Sequence, residues 1–142
     1  MIETVIFDLG NVLVDVRQDT LQRDLSALLD ATPEELGEQL KGLLPLLEVY
    51  ERGRLNGVAF YRRVLDHFGL AQERYPFALY REHWCGALVP SPAMERLYRE
   101  VCRARQVCVL SNTNDLHWMH TAERFDLLQR AQSTLTSFEC GL

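Results

Sequence analysis

Short apolar runs that end in polar residues alternate with long stretches of helical periodicity along this chain. One apolar run covers residues 3–8 and delivers Asp8 at its end, and another covers 106–111 and ends at Ser111. Runs of this length, bounded by turn-forming residues, are typical of buried strands. We therefore predict strands over these two ranges and a third short strand over 133–137.

The residues between the first two strands follow the 3.6-residue period of amphipathic helices. Leucines share one face over 19–29, and the segment Thr32-Pro33-Glu34-Glu35 is a capping box with proline at the first helical position. Asn56 is suited to begin a third helix and Gly69 to end it. A fourth helix is predicted over 73–86.

A crossover between parallel strands needs only about a dozen residues, so this helical stretch is long enough to be an inserted cap. Ser91-Pro92 begins another helix that leads directly into the second strand, and residues 115–130 are predicted to be helical. The predicted fold class is α/β. A Rossmann-like parallel sheet core comprises 1–15 and 89–142, and a helical cap comprises 16–88.

Composition restricts the class of protein further. The 142 residues are 47% hydrophobic, enough for a packed core, and the formal net charge of −5 disfavours nucleic acid and anionic membranes as partners. The apolar stretches are shorter than a membrane span, and the N-terminus lacks the basic region of a signal peptide. Four cysteines without metal-type or redox-pair spacing indicate reduced thiols and a cytoplasmic location.

The polar residues at the two strand ends are the candidate chemical groups. Ligands of open α/β sheets bind at the carboxyl ends of the strands, where Asp8 is able to act as a covalent nucleophile. Ser111-Asn112-Thr113-Asn114 offers hydroxyl, amide and backbone N–H groups suited to an anion. The alternatives are an Asx turn after a buried strand and an ordinary turn that caps a helix.

Together, the residues from Phe7 to Asp15 and the Ser-Asn-Thr-Asn segment at 111–114 resemble two motifs of the haloacid dehalogenase (HAD) superfamily. The closest resemblance is to the glucose-1-phosphate-phosphatase-like subgroup. It implies that Asp8 attacks phosphorus, that Mg²⁺ binds the other Asp8 oxygen and the Gly10 carbonyl, and that an aspartyl-phosphate forms.

The same resemblance implies a phosphate site made of four residues. The backbone N–H groups of Leu9 and Gly10 face the phosphate, together with the Ser111 hydroxyl and the Asn112 N–H. The expected partner is a small phosphorylated metabolite, with sugar phosphates first. The alternatives are a dehalogenase that uses Asp8 on a carbon–halogen bond, and a non-catalytic remnant of the fold that binds or regulates.

Two departures from the family pattern change these expectations. Most family phosphatases have a second aspartate, the general acid/base, two residues after the nucleophile, where this chain has Gly10. The proton donor for the leaving group is therefore unassigned. The family also continues to a lysine and a metal-binding acidic pair, which this sequence does not include after Gly141. We therefore expect negligible phosphatase activity from the 142 residues alone and self-association through an exposed sheet edge.

Other polar residues carry weaker signals. His117 and His120 have a spacing that a metal site could use, but packing or a contact with substrate is the favoured interpretation. Glu51-Arg52-Gly53 resembles a recurrent turn in related proteins, with a role in cap architecture favoured over substrate contact. Asp15 is assigned to the hinge or to polar lining, not to catalysis.

Overall fold

The computed structural model describes residues 2–142, which form an α/β fold with a parallel sheet. Most strand and helix bounds agree with the hydrophobic pattern, but the helix predicted over 73–86 begins at Phe77 and the helix predicted over 115–130 ends at Arg124. The strands are β1 (Thr4–Phe7), β2 (Val14–Val16), β3 (Leu88–Pro90), β4 (Gln106–Ser111) and β5 (Ser133–Thr136). The helices are α1 (Gln18–Leu29), α2 (Pro33–Glu51), α3 (Gly57–Phe68), α4 (Phe77–Gly86), α5 (Pro92–Ala104), α6 (Asp115–Arg124) and α7 (Ser137–Cys140), with a 3-10 helix at Asp126–Arg130.

The main sheet has three parallel strands in the order β1-β4-β5. The strands predicted over 3–8 and 106–111 are confirmed as β1 and β4. The short strand predicted over 133–137 is confirmed as β5. On one face, Val107 and Val109 are buried and Phe7 packs edge-on against Tyr98 of α5, with ring centroids 5.2 Å apart. This packing fixes α5 across the sheet and leaves the carboxyl ends of the strands pointing towards the helical segment.

The helices of the inserted segment begin and end where local side chains satisfy the backbone. At the start of α2, the Thr32 hydroxyl accepts from the Glu35 N–H, and the Glu35 carboxylate accepts from the Thr32 N–H at 2.9 Å. Asn56 accepts from the Ala59 N–H at 2.9 Å to begin α3, which ends at Gly69 in the left-handed conformation. The predicted capping box and both predicted α3 ends are confirmed.

A second, two-stranded sheet joins the ends of the helical segment and was not predicted. β2 pairs antiparallel with β3, with Val14 opposite Pro90 and Val16 opposite Leu88. The Arg17 N–H extends this ribbon by donating to the Ala87 carbonyl at 2.7 Å. The segment that leads from the main sheet into the helices and the segment that leads back are therefore hydrogen-bonded to one another.

Two clusters of buried apolar side chains support this arrangement. The first unites the helices α1 to α4, and the second unites the main sheet with α5 and the 3-10 helix. Leu116 of α6 belongs to the first cluster, although α6 follows β4, because its side chain packs against Gly57 at the start of α3. α6 therefore contacts the helical segment as well as the sheet.

The opposite face of the main sheet is open to solvent. Ile6, Leu110 and Leu135 lie on this face and are 64%, 49% and 52% exposed. Leu110 is paired with Leu135 across β4 and β5, so their side chains form a continuous apolar patch. No helix within residues 2–142 is both long enough and apolar enough to cross a bilayer.

Candidate active site

Parallel pairing brings the two sequence motifs to the same edge of the sheet. Phe7 of β1 is paired with Val109 of β4, so Asp8 follows its strand beside the last residues of β4. Neighbouring strands lie about 4.8 Å apart, which places the start of the first motif next to Ser111. The predicted nucleophile and the predicted anion-binding residues are therefore neighbours in space.

Asp8 is exposed at the tip of β1, and one of its oxygens contacts its own loop. The Leu9 N–H donates to Asp8 Oδ1 at 2.6 Å. This bond uses one of the N–H groups that the sequence assigned to phosphate, so an anion would have to compete with Asp8 for it. The second carboxylate oxygen makes no hydrogen bond within residues 2–142.

The loop after Asp8 turns tightly, and Asn11 supplies its unusual backbone geometry. The N–H groups of Leu13 and Val14 both donate to the Leu9 carbonyl, at 2.8 and 3.0 Å. Asn11 has a φ of +55°, and its side chain accepts from the Val16 N–H at 3.1 Å. Asparagine tolerates this left-handed conformation, so the turn does not depend on the conformational freedom of Gly10.

Two backbone donors at this edge are unoccupied. Within residues 2–142, neither the Gly10 N–H nor the Asn112 N–H has a protein acceptor, and the Ser111 hydroxyl makes only a 3.5 Å contact with the Asn112 carbonyl. Ser111 is buried, whereas Asn112 is exposed. Free N–H groups at a strand end attract anions because their dipoles converge. Three of the four predicted phosphate-binding residues therefore have a donor to spare.

Thr113 and Asn114, the last two residues of the second motif, make hydrogen bonds within the protein. Ser137 Oγ lies 3.0 Å from both the N–H and the carbonyl of Thr113, accepting from one and donating to the other. Asn114 begins α6 by accepting from the His117 N–H at 3.0 Å. These bonds fix the course of the chain through Ser111 and Asn112.

His117 is partly buried, lines the edge of the site, and belongs to no metal-binding cluster within residues 2–142. Its ring stacks on Trp84, with Nε2 3.1 Å from the Trp84 carbonyl and Nδ1 3.2 Å from the side-chain nitrogen of Asn114. These partners place the ring proton on Nε2. Burial lowers the pKa of His117 to about 4, so the imidazole is neutral near pH 7.

Asp115 joins the second motif to the helical segment. Its carboxylate accepts from the Tyr50 hydroxyl, and its other oxygen accepts from the Gly57 N–H at 2.9 Å. Tyr50 is fully buried, and burial together with the Asp115 charge raises the pKa of its phenol. The sequence did not predict these hydrogen bonds, because no local pattern relates residues so far apart in the chain.

A cavity of about 520 Å³ lies between the strand ends and the helices. Leu9, Gly10, Ser111 and Asn112 line it, whereas Asp8 lies just outside the lining. The helical wall is largely apolar, and its main side chains are Leu21, Leu40, Leu43, Leu47, Phe60 and Trp84. Such cavities hold small molecules through apolar contact, while a few polar groups fix orientation.

The oxygen groups near Asp8 fit Mg²⁺ in part. The free Asp8 oxygen and the Gly10 carbonyl, which no backbone hydrogen bond of the loop uses, are hard ligands of the kind that Mg²⁺ takes. Residues 2–142 contain no cluster of three or more His, Cys, Asp or Glu side chains that could hold a metal ion. A phosphate group and water would have to supply the remaining ligands.

Solved structures of HAD-family enzymes share this fold. A HAD family enzyme from Bacteroides thetaiotaomicron, solved with magnesium and inorganic phosphate, matches with a TM-score of 0.85 and 19% identity over 100% of this chain and 72% of that chain. A predicted HAD-like family hydrolase from Porphyromonas gingivalis matches with a TM-score of 0.73 and 18% identity, over 99% and 69% of the two chains.

A 2-haloacid dehalogenase from Pseudomonas syringae pv. Tomato matches less closely, with a TM-score of 0.57 and 21% identity over 100% of this chain and 66% of that chain. No protein-family model and no curated protein matches the sequence. These likenesses show that the chain has the α/β fold of HAD-family enzymes, which confirms the predicted fold class.

Proposed function

We propose that this protein is a phosphoric monoester hydrolase of the HAD superfamily that acts on small phosphorylated metabolites, sugar phosphates first. Asp8 is the nucleophile, and the reaction passes through an aspartyl-phosphate. The N–H groups of Gly10 and Asn112 and the hydroxyl of Ser111 donate hydrogen bonds to the phosphate. The Leu9 N–H also donates to it once its hydrogen bond to Asp8 breaks. The glucose-1-phosphate-phosphatase-like subgroup is the part of the superfamily that the two motifs favour.

One observation carries this proposal: an exposed carboxylate and two unoccupied backbone N–H groups lie at adjacent strand ends, beside a cavity of small-molecule size. A nucleophile without donors would be repelled by its anionic substrate, and donors without a nucleophile would only bind it. The combination supports chemistry on phosphate. The HAD family enzyme solved with magnesium and inorganic phosphate lends further support.

Charge determines what each group does. A phosphate monoester is anionic, so the attack of Asp8 needs the negative charge on both partners to be neutralised. Mg²⁺, when bound, supplies this neutralisation, and Asp8 and the Gly10 carbonyl are its protein ligands. The Gly10 and Asn112 N–H groups orient the phosphate in line with Asp8. Because residues 2–142 contain no group of three or more side chains that could hold a metal ion, we propose that they turn over substrate slowly, though above the Asp8→Asn background.

Removal of the nucleophile tests the proposal. Asp8→Asn should lower phosphate release from p-nitrophenyl phosphate, measured at high polypeptide concentration, to the uncatalysed background. Asp15→Asn is the matched control, because Asp15 is also exposed and lies close in sequence. Substantial turnover by Asp8→Asn, with an unchanged circular-dichroism spectrum, would rule the assignment out.

A dehalogenase is the second candidate, and the apolar helical wall of the cavity is the observation that favours it. Asp8 would then displace a halide from carbon, a reaction that needs no proton on the leaving group and suits the glycine at position 10. Halide release from a 2-haloacid, compared with phosphate release under the same conditions, separates the two candidates.

We also propose a cellular location and an oligomeric state for the protein. A cytoplasmic location is supported by the four cysteines, none of which forms a disulfide in the structure. Self-association through the main sheet is supported by its exposed face and by the edge strands β1 and β5. Parallel sheets are normally covered on both faces, so this surface favours contact with another polypeptide surface.

A further inference from the structure

A carboxylic acid without a partner lines the cavity. Glu51, the last residue of α2, is partly buried and lines the same cavity as Gly10 and Asn112. Within residues 2–142 its side chain makes no hydrogen bond or ion pair, whereas Glu48, about one turn earlier, is paired with Arg52 at 2.6 Å. Glu51 therefore presents a free carboxyl group to a molecule held in the cavity.

The backbone on both sides of Glu51 is fixed to the carboxyl edge of the sheet. Tyr50, the preceding residue, donates to Asp115 directly after the second motif. Gly53, two residues later, has a φ of +69° and lies so close to Phe138 that a Cβ would stand 1.9 Å from the Phe138 carbonyl oxygen. Phe138 belongs to α7, which follows β5. Glu51 thus lies between two anchored residues above the strand ends.

Other titratable groups of the cavity are already occupied. Lys41 is paired with Glu38 at 2.5 Å, and both ring nitrogens of His117 have partners. Glu51 is the single carboxylic acid among the described residues that line the cavity. It is therefore the one group there that is able to exchange a proton without first losing a protein partner.

The proposed reaction needs such a group. When Asp8 attacks phosphorus, the leaving oxygen departs with a negative charge, and an alkoxide leaves slowly unless it is protonated. Gly10 has no side chain with which to do this. Burial raises the pKa of Glu51, which increases the fraction of the acid form near neutral pH, as a general acid requires.

We propose that Glu51 is the general acid and base of this site, an inference that rests on the phosphatase function proposed above. In the first step, an Asp8 oxygen bonds to phosphorus, the bond from phosphorus to the leaving oxygen breaks, and the Glu51 proton passes to that oxygen to give an alcohol. In the second step, Glu51 takes a proton from water, the water oxygen bonds to phosphorus, and the bond from Asp8 to phosphorus breaks to release orthophosphate.

The dependence on leaving group tests this role. Glu51→Gln should lower kcat for an alkyl phosphate such as glycerol phosphate by about 10²-fold or more, because a poor leaving group needs the proton. For p-nitrophenyl phosphate, whose leaving group is stable as an anion, kcat should fall less than about tenfold. KM should change little for either substrate. Glu48→Gln is the matched control and should leave both rates unchanged.

Turnover is measured at high polypeptide concentration and referred to Asp8→Asn as background. Equal loss with both substrates, or no loss with either, would overturn the role of Glu51. Absence of any turnover above the Asp8→Asn background would instead count against the phosphatase function. These two failures are therefore distinguishable in one set of assays.

Nuclear magnetic resonance gives a readout that needs no turnover. In protein labelled with ¹³C and ¹⁵N, inorganic phosphate should shift the amide resonances of Gly10 and Asn112 together with the Glu51 carboxyl resonance, and should leave the Glu48 carboxyl unchanged. Shifts of the two amides without Glu51 would show that its carboxyl is out of reach, which would overturn the inference. No shift at all would overturn the phosphate site and this inference with it.

Discussion

The hydroxyl of Tyr50 donates a hydrogen bond to the carboxylate of Asp115. Tyr50 is near the end of α2 in the helical segment, and Asp115 is the first residue of α6, directly after the second motif. The bond therefore ties the helical wall of the cavity to the residues that we assign to phosphate. Because Tyr50 is fully buried, its hydroxyl cannot replace this bond with one to bulk water.

Removal of this hydroxyl should destabilise the protein. We expect Tyr50→Phe to lower the free energy of unfolding by about 1–3 kcal/mol, because the charged acceptor Asp115 loses a buried donor. Tyr80→Phe is the matched control, since the buried Tyr80 hydroxyl has no hydrogen-bond partner and its loss should cost little. Urea denaturation of both variants measures the difference. Equal stabilities of Tyr50→Phe and Tyr80→Phe would show that the hydrogen bond between Tyr50 and Asp115 contributes nothing to stability.

Acid should destabilise the fold through His117. Its pKa is lowered to about 4 in the folded protein, against about 6.5 in an unfolded chain, so the unfolded state binds more protons between these values. Stability is therefore fully present above about pH 6.5 and falls as the pH drops towards 4, by up to about 3 kcal/mol. His117→Gln retains a donor for the Trp84 carbonyl but does not titrate.

Urea unfolding at several pH values between 4 and 7 checks this expectation. The wild-type protein should lose more stability than His117→Gln over that interval. His120, whose pKa is also lowered by burial, remains in both proteins and contributes equally. The same pH dependence in both would mean that another group is responsible.

Sequence predicted the parts of the fold that are encoded locally. The apolar runs before Asp8 and Ser111 require no distant partner to be recognised as strands. Thr32 and Glu35 cap each other within a single turn, and Asn56 caps α3 in the same way. The two motifs are adjacent because β1 and β4 pair in parallel, a pairing that the predicted strands by themselves did not specify.

The parts that were missed depend on contacts between distant segments. Each strand of the β2–β3 ribbon has three residues, too few for a periodic signal, and β2 exists only because β3 lies beside it. The predicted helix over 115–130 is interrupted at Phe125, where the backbone becomes extended and a 3-10 helix follows. The exposure of Glu51 to the cavity depends on its neighbours Tyr50 and Gly53 being anchored to α6 and α7.

The cavity should restrict the protein to small substrates. Its volume of about 520 Å³ accommodates a small metabolite, and the helices above the strand ends leave little room for a folded phosphoprotein. We expect small phosphate monoesters to give the highest kcat/KM in a panel that includes a phosphopeptide and a nucleotide-containing oligomer. Preference for the phosphopeptide would contradict the proposed role of the helical segment.

Self-association should depend on the open face of the main sheet. We expect sedimentation velocity to show association that increases with protein concentration, because Leu110 and Leu135 form an exposed apolar patch. Leu135→Lys should weaken the association. Val58→Lys, at a similarly exposed apolar position on α3, should not. Equal association by both variants would place the contact elsewhere.

Magnesium binding should depend on phosphate. In the proposed site, Asp8 would supply one carboxylate oxygen and Gly10 one carbonyl, which are fewer protein ligands than Mg²⁺ needs for tight binding. Residues 2–142 contain no group of three or more His, Cys, Asp or Glu side chains that could hold a metal ion. Inorganic phosphate, held by the N–H groups of Gly10 and Asn112, would add oxygen ligands of its own. Calorimetric titration of the 142-residue polypeptide should therefore detect weak Mg²⁺ binding that strengthens when phosphate is present.

By linkage, Mg²⁺ should strengthen phosphate binding by the same factor, and Asp8→Asn should remove the coupling in both directions. Tight Mg²⁺ binding without phosphate would contradict this account of the site.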